Sequence, residues 1–297
     1  MHKPMVSTLF SGLGIVLNII LNYLLIFGNM GFPAMGIKGA ALATLISSMI
    51  EVLCLYLYLY LQRHLLAFSI ADIKHSINLQ KLKRFLGLSL PTTFNFLTWA
   101  SGLFTYTAIM GKTGEQGLVA LSVMTPIEAI SLSLLVRIAN ASAVIIGNQL
   151  GAKRFEQAYY QAIAFVIVGF VITLIVAIAL YLMQTSILNS FTSLGDSTRA
   201  LSQQFLTILC FGIVLRSVPT VLVVGVLRAG GDVKFCLYQD MSTQWLFGIP
   251  ISAIAAISLG FPAHWVYALF FIEAIFKWFA CIHRLRSKKW INNLIEK

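Results

Sequence analysis

The stretch FFIEAIFKWF, Phe270 to Phe279, holds Glu273 and Lys277 four residues apart in otherwise apolar sequence. On a helix the two share a face, in the Glu-then-Lys order that favours pairing. A charge at bilayer depth costs about 2.5–3.5 kcal/mol on insertion scales, so such a group turns to a bundle interior or a watery cavity. Two chemistries fit: a local salt bridge, or a carboxylate that takes up a cation in one conformation and gives it up in another. Burial disfavours a lone charged carboxylate and a bound cation replaces its lost solvation, which suits it to ion exchange. Three more acids interrupt apolar runs: Glu51, Glu128 in MTPIEAISL and Asp240 in LYQDMSTQW. Arg137 and Arg216 are available partners for Glu128, although a separation of nine residues puts Glu128 and Arg137 on opposite faces of one helix. Asp240 reads either as a cation ligand or as an interfacial residue.

Residues for hydrolytic or metal chemistry are not grouped. HExxH and GxSxG are absent, and His2, His64, His75, His264 and His283 are dispersed. Cys54, Cys210, Cys236 and Cys281 stand singly in apolar stretches, as buried small hydrophobes do, without metal-site or disulfide-framework spacing. No enzyme activity is expected, and a membrane-embedded lipid-modifying enzyme stands only as an alternative.

The elements that must position the acids are membrane spans. Of 297 residues, 59% are hydrophobic and 10% charged, against about 25% charged in a soluble domain. The net charge of +11 lies between apolar runs, where basic residues orient a chain in the bilayer; a nucleic-acid partner is set aside. At about 20 apolar residues per crossing, the chain reads as an all-α polytopic membrane protein. About eight transmembrane helices are expected near 7–27, 39–61, 85–110, 117–147, 158–183, 201–227, 236–259 and 263–283. The N-terminus lacks a signal-peptide cleavage pattern, so the first run is expected to remain as a span. Lys and Arg crowd the connections after the second, fourth, sixth and eighth spans, which puts both termini in the cytoplasm.

The connection over 63–84 has apolar residues at helical spacing and reads as a cytoplasmic amphipathic linker. It divides two helices in 1–62 from a six-helix lobe with a short cytoplasmic tail in 85–297. An echo links the two parts: Gly31-Phe32-Pro33-Ala34 precedes the second span and Gly260-Phe261-Pro262-Ala263 the eighth. Such internal repeats are a recurring plan in secondary transporters.

Two connections have their own local logic. In GNQLGAKRFEQAY, Gly147 and Gly151 can end a helix and let the backbone turn, while Glu156 enters the next helix near its positive end. In GVLRAGGDVKF, Gly230 and Gly231 permit unusual dihedrals, and Arg228 can pair locally with Asp232. With NIILNYLLIFGNMGFPAMGIKGAALAT, Asn18 to Thr44, these stretches in this order resemble the multidrug and toxic compound extrusion (MATE) family of cation-coupled efflux transporters, over essentially the whole chain.

That resemblance implies a twelve-helix, two-lobe transporter of which this chain holds spans five to twelve, with the first four spans carried, if anywhere, by an upstream fragment. It implies a cation site in the N-terminal lobe to which Asn18, Asn22, Ala40 and Thr44 correspond. Asn22 stands where the family has an aspartate and cannot take a proton near neutral pH, and the span-one aspartate would lie in the missing region. Some relatives carry an acid after a proline in span seven; here Pro91 is followed by Asn95, Thr98 and Trp99. Glu128, Asp240 and Glu273, with Lys277, are then the acids and partner left in the C-terminal lobe. Placing GFPA on GFPA sets Glu273 opposite Thr44.

The implied activity is export of hydrophobic or cationic organic compounds across the cytoplasmic membrane in exchange for H+ or Na+, with no other cofactor. Gly147, Gly151, Arg228, Gly231 and Asp232 are motif positions with a gating role in prospect. Phe94, Asn95, Trp99, Tyr106 and Met124 are the cavity-lining expectation, since aromatics and methionine suit flat cationic molecules. A lipid-linked oligosaccharide flippase, kept open by Arg137 and Arg216, and an inactive remnant are the other readings.

Overall fold

The computed structural model describes residues 4–62, 79–191 and 195–291, which are helical apart from short connections. Helices α1 (Pro4–Phe27) and α2 (Ile37–Leu61) belong to a first unit, Met1–Leu82; a second unit, Lys83–Lys297, holds the rest. There follow α3 (Leu79–Lys112), α4 (Glu115–Gly151), α5 (Phe155–Asn189), α6 (Asp196–Leu227), α7 (Val233–Ser258) and α8 (Ala263–Arg286). Residues 63–78 of the expected linker lie outside the described residues; 79–84 form the first turns of α3, not a separate surface helix.

Among the described residues, seven of these helices are long and apolar enough to cross a bilayer. The exception is α3, which at 34 residues has the length but alternates apolar groups with hydroxyls. Its hydroxyls fold back onto the helix's own carbonyls: Thr98 donates to the Phe94 carbonyl at 2.8 Å, Ser101 to Leu97 at 2.8 Å, Thr105 to Ser101 at 2.9 Å and Thr107 to Leu103 at 3.0 Å. Each polar group is thereby satisfied within the helix, as hydrocarbon demands. α3 is an eighth long helix whose polarity the apolar count alone does not capture.

The second unit buries two clusters. One gathers Met110, Met124, Phe205, Ile213, Tyr267 and Phe271; Phe205 and Tyr267 stack at 4.4 Å between ring centres. The other gathers Ile146, Leu150, Leu222, Val226, Cys281 and Trp290. Cys210, Cys236 and Cys281 are buried as free thiols. Large apolar side chains such as Phe104, Leu182 and Phe279 remain exposed, the pattern of a protein whose outer surface meets lipid.

Irregular backbone marks the helices that carry charge. Pro219 in α6 has no N–H, which frees the Leu215 carbonyl; Trp278 Nε1 donates to that oxygen at 2.5 Å. A π-helical stretch, Val221–Leu227, follows, and α7 contains two more, Ser242–Gly248 and Ile254–Ser258. α8 is broken at Phe270 and Phe271, so Glu273 lies in the first turn of its second segment, Ile272–Arg286.

The GFPA echo is a backbone echo. Gly31 (φ +86°) and Gly260 (φ +61°) both have positive φ, and an extended residue follows each within two positions, Phe32 (φ −79°, ψ 148°) after the first and Pro262 (φ −56°, ψ 148°) after the second. They differ beyond the alanine: α8 starts at Ala263, whereas α2 starts at Ile37 after a second glycine of positive φ, Gly36.

Candidate functional site

Glu273 is 6% exposed, and its two oxygens have different partners. Tyr106 of α3 donates its hydroxyl to Oε2 at 3.2 Å, and Lys277, one turn along α8, lies 3.4 Å from Oε1. The same ammonium is 3.2 Å from Asp240 Oδ1 on α7, so the i, i+4 pair read from the sequence is half of a bridge between two carboxylates. Asp240 Oδ2 accepts from Asn95 Nδ2 at 2.8 Å, and Asn95 Oδ1 accepts from Arg228 Nη2 at 2.5 Å. Tyr106, Glu273, Lys277, Asp240, Asn95 and Arg228 thus form one line of hydrogen-bonded and charged groups across α3, α8, α7 and the end of α6. Gln239, beside Asp240, ties α7 again to α8 by donating to the Lys277 carbonyl at 3.4 Å.

The backbone makes room for this line. A Cβ at Gly248, in the first π-helical stretch of α7, would run into the Tyr106 hydroxyl and lie 3.4 Å from Glu273 Oε2. Only glycine lets α7 approach the Tyr106–Glu273 contact so closely.

Glu128 pairs with Arg216 of α6, and the guanidinium lies 4.7 Å from the centre of the Phe271 ring. Arg137 is exposed on α4 and plays no part in that contact. The expected Arg228–Asp232 pair is replaced by two longer-range contacts. Asp232 takes a two-point hydrogen bond from Arg284, Nε to Oδ2 at 2.5 Å and Nη2 to Oδ1 at 3.0 Å, which turns Arg228 toward Asn95. The physical reason is the helix end: Gly231 is left-handed at φ +79°, with its N–H on the Arg228 carbonyl and the Asp232 N–H on the Leu227 carbonyl. This closing turn fixes Asp232 at the start of α7.

The same closing turn ends α4, with a change of cast. Arg154 N–H donates to the Gln149 carbonyl and Lys153 N–H to that of Leu150, and the left-handed residue is Lys153 at φ +59°. Gly151 stays in the helix as its last residue, and Gly147 lies a turn inside it. The turn is made by a lysine, contrary to the expectation that a glycine makes it.

The aromatic candidates divide. Tyr106 and Met124 belong to the buried core, Met124 fully so. Phe94 and Trp99 are exposed on α3. Phe94 lines a recess of about 320 Å³ with Leu97, Thr98, Ser101, Met241 and Trp245, and Trp245 Nε1 donates to the Thr98 carbonyl at 3.4 Å. Met241 and Trp245 went unremarked in the sequence, where nothing about their spacing points across to α3.

In the first unit, Asn22 donates to Asn18 Oδ1 at 3.0 Å, and Asn18 Nδ2 reaches Thr44 Oγ1 at 3.4 Å and Ser47 Oγ at 3.2 Å. Asn22 Oδ1 is buried without a hydrogen-bond partner in the described structure. Glu51, farther along α2, accepts from Ser11 at 2.7 Å.

These features define an all-helical, polytopic membrane protein with paired charges inside its second unit. A family model, MatE, matches residues 91–271, and the chain belongs to that family. It is 25% identical over 288 residues to an uncharacterized transporter, YisQ, of Bacillus subtilis (strain 168), covering 96% of this chain and 62% of that protein. A probable multidrug resistance protein NorM of Listeria monocytogenes serotype 4b (strain F2365) is 30% identical over 257 residues, 84% of this chain and 54% of the relative. Among solved structures, MATE in complex with MaL6 superposes with a TM-score of 0.80 at 20% identity, over 95% of this chain and 63% of that one. The chain therefore spans less than two thirds of the length of these relatives.

Proposed function

We propose that the chain works in the export of hydrophobic or cationic organic compounds across the cytoplasmic membrane, driven by inward movement of protons or sodium ions. The reading rests on family membership and on the names of its NorM relatives as probable multidrug resistance proteins. The observation that carries it is the line from Tyr106 to Arg228, because it sets two carboxylates of the membrane interior against a cation at the junction of three helices. Adding or removing a positive charge there changes the balance of attractions between α3, α7 and α8, and so biases one conformation over another. The recess beside Phe94 and Trp245 offers aromatic faces of the kind that hold flat cations.

In this reading both termini face the cytoplasm, as the distribution of Lys and Arg favours. The chain covers 62% of the length of the YisQ relative, so transport is tested with the first four spans of a longer relative supplied alongside it. Neutralisation of Arg216 by Glu128 removes one of the free interior cations that a flippase for lipid-linked oligosaccharides would use, which favours the drug-export reading.

The test is dye movement in everted membrane vesicles from cells making the chain together with the first four spans of a NorM relative. Ethidium accumulation on energisation, abolished by ionophores and reduced by Glu273→Gln at equal membrane expression, is the expected result. Gradient-independent dye distribution overturns the proposal.

A further inference from the structure

Lys277 sits between two carboxylates. Its ammonium lies between Glu273 Oε1 and Asp240 Oδ1, at 3.4 and 3.2 Å, on two different helices, and its side chain is only 12% exposed. The outer oxygen of each carboxylate is engaged elsewhere, Oε2 by Tyr106 and Oδ2 by Asn95, so the inner pair of oxygens is aimed at the ammonium alone. The charges of the line also close. Glu273 and Asp240 contribute two negative charges, Lys277 and Arg228 two positive ones, and the nearby Arg216 is matched by Glu128.

From this we infer that Lys277 is a tethered cation: it fills a monovalent-cation seat between Glu273 and Asp240, excludes Na+ from it, and leaves protons as the only ions that the second unit can exchange there. The inference deepens the export reading and rests on it for its role in transport, but the seat itself stands on geometry. A proton arriving on Glu273 or Asp240 releases the ammonium from that carboxylate, whereas a sodium ion finds both inner oxygens taken. The charged and titratable groups around the seat are Tyr106 from α3, Arg216 with Glu128 from α6 and α4, Arg228 from the end of α6 through Asn95, Cys236 and Asp240 from α7, and Cys281 from α8, whose thiol hydrogen-bonds with Gln239. Removing the lysine charge leaves one unmatched negative charge, which one monovalent ion neutralises, so the vacated seat takes Na+ and not a divalent ion. Lys277 is then a specificity-determining residue, because it decides which ion is admitted.

The experiment measures Na+ binding to the purified full chain in detergent, with no transport involved, so it stands apart from failure of the export reading. Wild type, Lys277→Gln, Lys277→Arg and the double variant Asp240→Asn/Lys277→Gln are heated in choline chloride and in sodium chloride of equal ionic strength. Wild type, Lys277→Arg and the double variant are expected to melt alike in the two salts. Lys277→Gln is expected to melt higher in sodium by roughly 2–4 °C, the shift that a modest binding free energy produces in a domain of this size. Where Lys277→Gln does not stay monodisperse in choline, recovery in sodium is the same result and failure in both salts overturns the inference. A sodium-dependent shift in wild type that Glu273→Gln abolishes, or a Lys277→Gln variant indifferent to sodium, overturns it as well.

Discussion

Neutralising Asp240 and Glu273, singly and together, measures whether one lysine holds both. Each single variant, Asp240→Asn or Glu273→Gln, keeps the shape of the side chain and leaves Lys277 beside the other carboxylate, at 3.4 or 3.2 Å. The loss is then a charge-assisted hydrogen bond offset by tightening of the remaining pair, a net cost of about 0.5–1.5 kcal/mol. The double variant strands an ammonium that is 12% exposed with no counter-charge at contact distance. Stranding one partner of a buried ion pair costs about 3–5 kcal/mol. The double variant is therefore expected to lose more than the sum of the singles, with a coupling of about 0.5–3 kcal/mol. Unfolding of the purified chain in detergent, followed by tryptophan fluorescence against denaturant, reads all four proteins. Additivity within about 0.3–0.5 kcal/mol would show that Lys277 serves only one of the two acids and would refute the bridge.

Other sites carry simpler expectations. Glu128→Gln leaves the Arg216 guanidinium without its partner and is expected to lower stability by about 1–3 kcal/mol, less than for a fully buried pair because both side chains keep about a quarter of their exposure; adding Arg216→Met should return most of the loss in the same unfolding assay. Gly231→Ala, at φ +79°, is expected to cost about 1–2 kcal/mol, read as a lower melting temperature of the purified chain. Gly248→Val pushes a side chain into the Tyr106 hydroxyl; it is expected to reach the membrane at reduced level and to lose ethidium export in proportion to the protein that remains folded.

The helices were readable because a bilayer imposes length and apolarity on every crossing, and the order of apolar runs leaves little choice of connection. α3 was placed by its length and by the residues after Pro91, although ten hydroxyl and amide side chains dilute its apolar signal; the bonds to its own backbone carbonyls that satisfy several of them depend on rotamers that a sequence does not show. The Glu273–Lys277 pair was legible as an i, i+4 spacing. Asp240 as its second acid was not, since the contact crosses from α8 to α7 and no spacing in the chain encodes it. The Arg228–Asp232 expectation failed for a related reason: nearness in sequence made the pair look local, while the left-handed Gly231 turned the two side chains to different helices. Asn95 and Tyr106, named for an aromatic and polar cavity lining, turned out to be the groups that tie α3 to the buried acids.

The central claim is that a cation exchanged at the line from Tyr106 to Arg228 drives the export of organic cations. Its most direct measurement is the reverse flux: in everted vesicles holding the chain and the first four spans of a NorM relative, a preformed pH gradient is monitored by a fluorescent weak base while ethidium is added. The account predicts that ethidium dissipates the gradient, that tetraphenylphosphonium does the same, and that Glu273→Gln vesicles of equal protein content show no such release. Ethidium export that proceeds without moving protons or sodium, or an undiminished release in Glu273→Gln, would contradict it.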